Sequence, residues 1–263
     1  MDILKRQNTG GSSVMISMDD LEKLYLSPPH KVQGNLRSTF GNPTPLALMG
    51  FLIASTPLGC QLMGWRGSGG GGASIVGAIY FFGGLLQILG CVMEWILGNT
   101  FSMVVFGTYG AFWLTLGTTL VPFYNAEGYF TSGKTGSTLV AGEAEYYASY
   151  GFYLCFLSVL TFIYLICSLR TNLVFFMIFL ALDIALWLLT GEYWKLAEGD
   201  AYTAGKLQVA AGAFTFTFCM FGWYLLTSIL LQSLEFPIVL PVFDLSRFIV
   251  AKRKSKKAAK RDE

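Results

Sequence analysis

Histidine is almost missing: His30 is the only one in 263 residues, and it lies in a polar N-terminal arm. Neither a Ser-His-Asp relay nor a His-rich metal site can be assembled around it. The five cysteines (Cys60, Cys91, Cys155, Cys167, Cys219) lack metal-type spacing. They fall in or at the ends of apolar runs and read as small apolar residues rather than a disulfide framework. No enzyme, metal or cofactor is therefore expected. A nucleotide-binding phosphate loop is not expected either, because the Gly69–Gly72 run has no lysine and reads as a flexible turn. Asn-x-Ser/Thr sequons are lacking, so N-glycans are not expected.

Charge is also scarce, at 13%, while 54% of the chain is hydrophobic and the mean hydropathy is +0.54. That is too apolar for a soluble domain of this size. A helix needs ~20 apolar residues to cross ~30 Å of hydrocarbon. Six runs qualify, near 45–63, 73–93, 101–123, 147–167, 173–190 and 206–231. The fold class is thus an all-α membrane protein of six spans. Residues 1–41 form a polar arm and 247–263 a basic tail, both read as disordered and flanking a transport domain at 42–246. The N-terminus lacks a basic-apolar-small leader, which leaves the first span as the targeting element.

The net charge of +2 conceals an asymmetry. Six spans put both termini on one side, and that side holds fourteen Lys and Arg against four on the other (Arg66, Lys134, Lys195, Lys206). The positive-inside rule then places both termini in the cytosol. The tail Ala251–Lys257 reads as a topology signal or a contact for anionic lipid, not as a nucleic-acid patch. Ala73-x-x-x-Gly77 and Gly107-x-x-x-Ala111 are spacings that favour close helix packing.

Three spans begin alike. Asn42, Asn99 and Asn172 open the first, third and fifth, and a bulky residue follows nine or ten positions on: Phe51, Tyr109 and Leu182. Asparagine is a good N-cap, Pro43 suits a first turn, and Thr100 and Thr171 add hydroxyls. These spans enter from the same side, so the bulky residues stand at nearly one depth, ~9–13 Å in. Such a repeat describes three helical hairpins around a pathway. Three helix N-termini would favour an anion at its mouth, and an apolar ring would serve as its filter.

Asn42-Pro43-Thr44-Pro45-Leu46-Ala47-Leu48-Met49-Gly50-Phe51 closely resembles the signature of the acetate uptake transporter family, the bacterial succinate–acetate permeases and the fungal acetate and ammonia transport proteins. Gly83-Gly84-Leu85-Leu86-Gln87, Glu94, Gly98-Asn99-Thr100-Phe101 and Tyr109-Gly110-Ala111-Phe112-Trp113 resemble its second block. The likeness runs from about Asn42 to Ser233, and the long arm, the 124–146 loop and the basic tail look like the fungal branch. It implies homohexamers in the plasma membrane, with a pathway inside each protomer. The cargo it implies is acetate and other small carboxylates, moved with or as protons. It also implies a constriction at Phe51, Tyr109 and Leu182. Thr44 and Ala47 depart mildly from the signature, and Asp183 stands where bacterial members carry an uncharged residue.

Asp183 is the most costly residue to place in the bilayer. Proton carriage is one role for it. The favoured one is a bond to a neighbouring helix or subunit, because it lies about 100° round the helix from Leu182. Gln87 suits a passing carboxylate or a helix neighbour, and Glu94 is expected near enough to the cytosol to be hydrated. Two other classes compete: a channel for a neutral solute such as ammonia, and a membrane sensor. The single Asn-Pro argues against a water-channel fold, which uses two such boxes. A tag on the C-terminus is predicted to resist protease added outside intact cells; its digestion would reverse the direction of every span.

Overall fold

In the computed structural model, residues 36–245 are described. His30, most of the N-terminal arm and the basic tail lie outside the described residues. Six helices are long and apolar enough to cross a membrane: α1 (Thr44–Leu62), α2 (Ala73–Ile96), α3 (Thr100–Leu120), α4 (Gly136–Ser168), α5 (Leu173–Ala197) and α6 (Ala201–Ser233). Strands are absent among the described residues. In hydrocarbon a backbone must satisfy its own polar groups, and a helix does so within one segment.

The starts agree with the apolar runs for α1, α2, α3 and α5, but α4 begins eleven residues before position 147 and α5 runs on past 190. Polarity marks where the bilayer ends, not where a helix ends. Thr135 and Thr138 close a capping box ahead of α4, and residues 136–146 keep helical hydrogen bonds in water as readily as in lipid. At 33 residues α4 is ~50 Å long, well beyond ~30 Å of hydrocarbon. Asp200 opens α6 by accepting from the Thr203 amide at 3.0 Å, and those Thr203 bonds hold its carboxyl below the usual range.

The six helices close into a ring in chain order. α1 packs on both α2 and α6, α2 on α3, and α5 on both α4 and α6. Glycine makes most of these seams. A Cβ on Gly90 of α2 would collide with Ala47 of α1, and one on Gly212 of α6 would press on Leu62 of α1 at 2.8 Å. The expected Ala73–Gly77 pair plays no such part: Gly77 has nothing within 4 Å. Gly107 does approach Cys91 of α2, but Ala111 is exposed, so the contact is carried by Gly110 and Gly117 instead.

The α3–α4 seam is built differently. Hydroxyls bridge it: Thr108 to Tyr164 at 2.8 Å and Tyr109 to Thr161 at 2.9 Å. As residue numbers rise on α3 they fall on α4, the register of an antiparallel pair. After α6 the chain doubles back. Tyr224 donates to the Pro241 carbonyl, and the Leu173 amide donates to Phe243 at 2.9 Å, so this strap covers the start of α5.

Replacing Gly90 with leucine is predicted to destabilise the protein by about 1–3 kcal/mol through overpacking. Gly77→Leu should leave it nearly unchanged. Thermal unfolding in detergent measures both.

A central cavity and its candidate pathway residues

The ring encloses a cavity with about 40 Å³ open to water centres, room for roughly three waters at ~10–15 Å³ each. Phe51, Ser55, Leu58 and Leu62 line it from α1, and Tyr109, Phe112 and Trp113 from α3. Leu157 comes from α4, Leu182, Ala185, Leu186 and Leu189 from α5, and Thr215 and Phe218 from α6. No lining residue is charged. Burial is nearly complete, with Tyr109 only 4% exposed.

Phe51, Tyr109 and Leu182 therefore meet at one end of one cavity. The Phe51 and Tyr109 ring centroids are 5.9 Å apart. Phe218 stacks on Phe51 at 5.3 Å and makes a fourth wall that the sequence reading did not include. It lies on a span running the opposite way, outside the pattern of asparagine-led spans. Beyond this ring, towards the starts of α3 and α5, Phe101, Tyr164, Phe175 and Phe179 pack edge on face or tilted at 5.0–6.2 Å. That cluster leaves the cavity extending the other way, towards the C-terminal ends of α1 and α5.

The three asparagines share a position but not a task. Asn172 caps α5 by accepting from the Phe175 amide at 2.8 Å. Asn42 is exposed and accepts from the Thr44 amide at 3.0 Å, with Pro43 buried beside it and Pro45 half-buried in the first turn. Asn99 makes no cap with its side chain. It donates instead to Glu94 Oε2 at 2.6 Å, while the Thr44 hydroxyl donates to Glu94 Oε1 at 2.5 Å. Glu94 is 0% exposed, which corrects the expectation of a hydrated acid. The Ala47–Gly90 contact brings the start of α1 over it and shuts out solvent. Thr100 is exposed at the start of α3 and away from the cavity.

Gln87 follows an eight-residue π-helical stretch, Ile79–Leu86, within α2. Such turns free carbonyls from the ordinary ladder. Gln87 Nε2 donates to the Gly83 carbonyl at 2.7 Å, and its Oε1 is enclosed without a partner. It does not line the cavity. Asp183 does not line it either, as its angular offset from Leu182 predicts. Its Oδ1 is buried without a hydrogen-bond partner, so the expected bond to a neighbouring helix is not made by that oxygen. It is close enough to act electrostatically on the Tyr109 hydroxyl. Glu192, one of the few acids within a helix here, also buries an unpartnered Oε2. Its place past the apolar end of the fifth run hid it, since α5 continues for seven residues beyond position 190.

Gly128 to Thr135 does carry the Gly-x4-Gly-Lys-Thr spacing of a phosphate loop, contrary to the expectation of none. No strand precedes it among the described residues, and Thr135 is engaged in the capping box of α4. The segment is a helix start, not a nucleotide cradle. No group of three or more His, Cys, Asp or Glu side chains suited to a metal occurs among the described residues.

The profile of the GPR1/FUN34/yaaH family matches residues 26–247. The chain is 47% identical to protein alcS of Aspergillus fumigatus, over 90% of this chain and 87% of that one. It is 34% identical to acetate permease A of Emericella nidulans, over 70% of this chain and 60% of that protein. Among solved structures, the bacterial acetate channel SatP aligns with a TM-score of 0.58 and 25% identity, over 77% of this chain and 99% of that one. A six-helix ring around an apolar cavity, with the family profile spanning all six helices, makes this chain a multi-pass membrane transport protein and not an enzyme: it belongs to the GPR1/FUN34/yaaH family.

Proposed function

We propose that the chain carries acetate and related small monocarboxylates through this cavity, as the protonated acid or as an anion accompanied by a proton. The observation that carries the reading is the meeting of Phe51, Tyr109 and Leu182 on one uncharged cavity inside the ring. Its scale suits a cargo of a few heavy atoms. A bare carboxylate loses strong hydration in an apolar passage and finds no basic side chain on the lining to replace it. The neutral acid crosses at far lower cost.

In this reading the three residues form the constriction, with Phe218 as its fourth side. Asn42, Pro43, Pro45, Asn99, Thr100 and Asn172 shape the mouth at the helix N-termini, whose partial positive charge gathers anions over about one turn. Glu94 and Gln87 set the packing behind that mouth. Asp183, buried beside Tyr109 with a free oxygen, is a candidate stop for the accompanying proton. The protein works as a homo-oligomer, a hexamer by family resemblance, with one pathway per protomer, in the plasma membrane and with both termini in the cytosol. An anion channel and an ammonia exporter are the alternatives, and the same passage serves either.

Acetate uptake into proteoliposomes, at fixed total acetate and clamped voltage, tests this. Simple carboxylic acids titrate near ~4, so the protonated fraction falls about tenfold per pH unit above that, and uptake is predicted to fall with it. Phe51→Ala is predicted to admit larger acids. Flux that follows the anion, ignores the proton gradient and rises with an inside-positive voltage would establish a pure anion channel. Ammonia flux without acetate flux would establish the exporter.

A further inference from the structure

The polar atoms of the cavity have a direction. Ser55 Oγ donates its proton to the Phe51 carbonyl at 2.6 Å, a bond in which the carbonyl can only accept. Thr161 Oγ likewise donates to the Leu157 carbonyl at 2.8 Å. A hydroxyl has one proton. The 2.9 Å contact between Tyr109 and Thr161 must then be Tyr109 donating to Thr161. Both protons are committed to the protein. Ser55 is fully enclosed, so what this part of the lining has left to offer is the lone pairs of Tyr109.

We propose that Tyr109 makes the cavity a receptor for hydrogen-bond donors, above all a protonated carboxylic acid. Thr161 is the positioning residue that fixes this polarity by taking the Tyr109 proton. The inference rests on the acetate reading and deepens it. An acid O–H can donate to the Tyr109 oxygen, whereas a carboxylate has only acceptors and would face its lone pairs. Thr215 supplies the other hydroxyl of the lining, from α6. The Trp113 indole N–H is unpartnered but enclosed, so it is not presented to the lumen. Discrimination against the anion at Tyr109 needs no charge, only the fixed orientation of one hydroxyl.

The titratable groups facing Tyr109 are Tyr164 of α4 and Asp183 of α5. Ser55 faces the Cys219 thiol of α6, with Thr56 and Cys60 of α1 beside it. Of these, Asp183 is the one carboxylic acid, and the experiment must separate it.

Acetate flux is measured in proteoliposomes at a fixed concentration of protonated acid while pH is raised from about 5 to about 7, so that only the anion increases. Wild type is expected to hold a constant flux, and the Thr161 series is repeated on the Asp183→Asn background, so that the Asp183 carboxyl drops out of the comparison. Thr161→Val frees the Tyr109 proton to meet a carboxylate, and its flux is expected to climb about two- to tenfold at the upper end, the worth of one neutral hydrogen bond. Thr161→Ser should restore the flat profile, which a merely structural role would not distinguish. Tyr109→Phe, informative even if Thr161→Val fails to fold, should lower the flux of protonated acid about two- to tenfold. A wild-type flux that climbs with the anion, or a flat profile in well-folded Thr161→Val, would overturn the proposal. Wild type that admits no acetate at any pH refutes the acetate reading alone. Ammonia, itself a donor, then reads the lining: lower ammonia flux in Tyr109→Phe supports it, and unchanged flux overturns it.

Discussion

The fully buried carboxylate of Glu94 holds together the end of the ring where three helices begin or finish. One oxygen takes the hydroxyl of Thr44 at the start of α1, and the other takes the amide of Asn99 just ahead of α3. A buried acid is stable only when its oxygens are supplied with donors, and removing a donor costs more than the bond is worth when made. The helices are therefore locked in register where their own caps are weakest. From that end Phe51 stands ~10 Å along α1 and Tyr109 ~15 Å along α3. Their rings meet because both helices are measured from the same carboxylate.

Around that fixed point the seams are of two kinds. Glycine lets α1 approach α2 and α6 until backbones touch, which leaves little room for sliding. The α3–α4 seam relies on hydroxyl pairs between threonine and tyrosine, directional bonds that hold orientation without close backbone packing. One of these pairs lies beside Phe51, where Tyr109 lines the cavity. The same bond that joins two helices thus sets which way the Tyr109 hydroxyl turns. On the proposed reading, structure and selectivity share that single proton.

The asparagine-led repeat was legible, and the convergence of Phe51, Tyr109 and Leu182 follows from it. The reason first given for the repeat was too uniform. Only Asn172 caps its helix in the manner expected of all three; Asn99 spends its side chain on Glu94. An N-cap preference describes a residue's options in isolation, and a buried acid five positions earlier in the chain outbids the local amide. Glu94 was misjudged for the matching reason: its distance from the end of an apolar run suggested water, while the helix that covers it comes from fifty residues away. Phe218 and Thr161 escaped notice because spans of opposite direction carry no shared offset from the membrane surface.

Hydrophobicity, summed over the chain, determined that there are six spans, because transfer to lipid depends on composition and length and hardly on neighbours. The asparagine-led offsets determined that Phe51, Tyr109 and Leu182 stand at similar distances along their helices, because a helix converts residue count into distance. Which helices touch, where α4 and α5 end, which way the Tyr109 hydroxyl turns and which acids lie buried were decided by tertiary structure alone. Each of those depends on a partner brought in from another span. A hydrogen bond has one proton to give, and only the assembled ring determines who receives it.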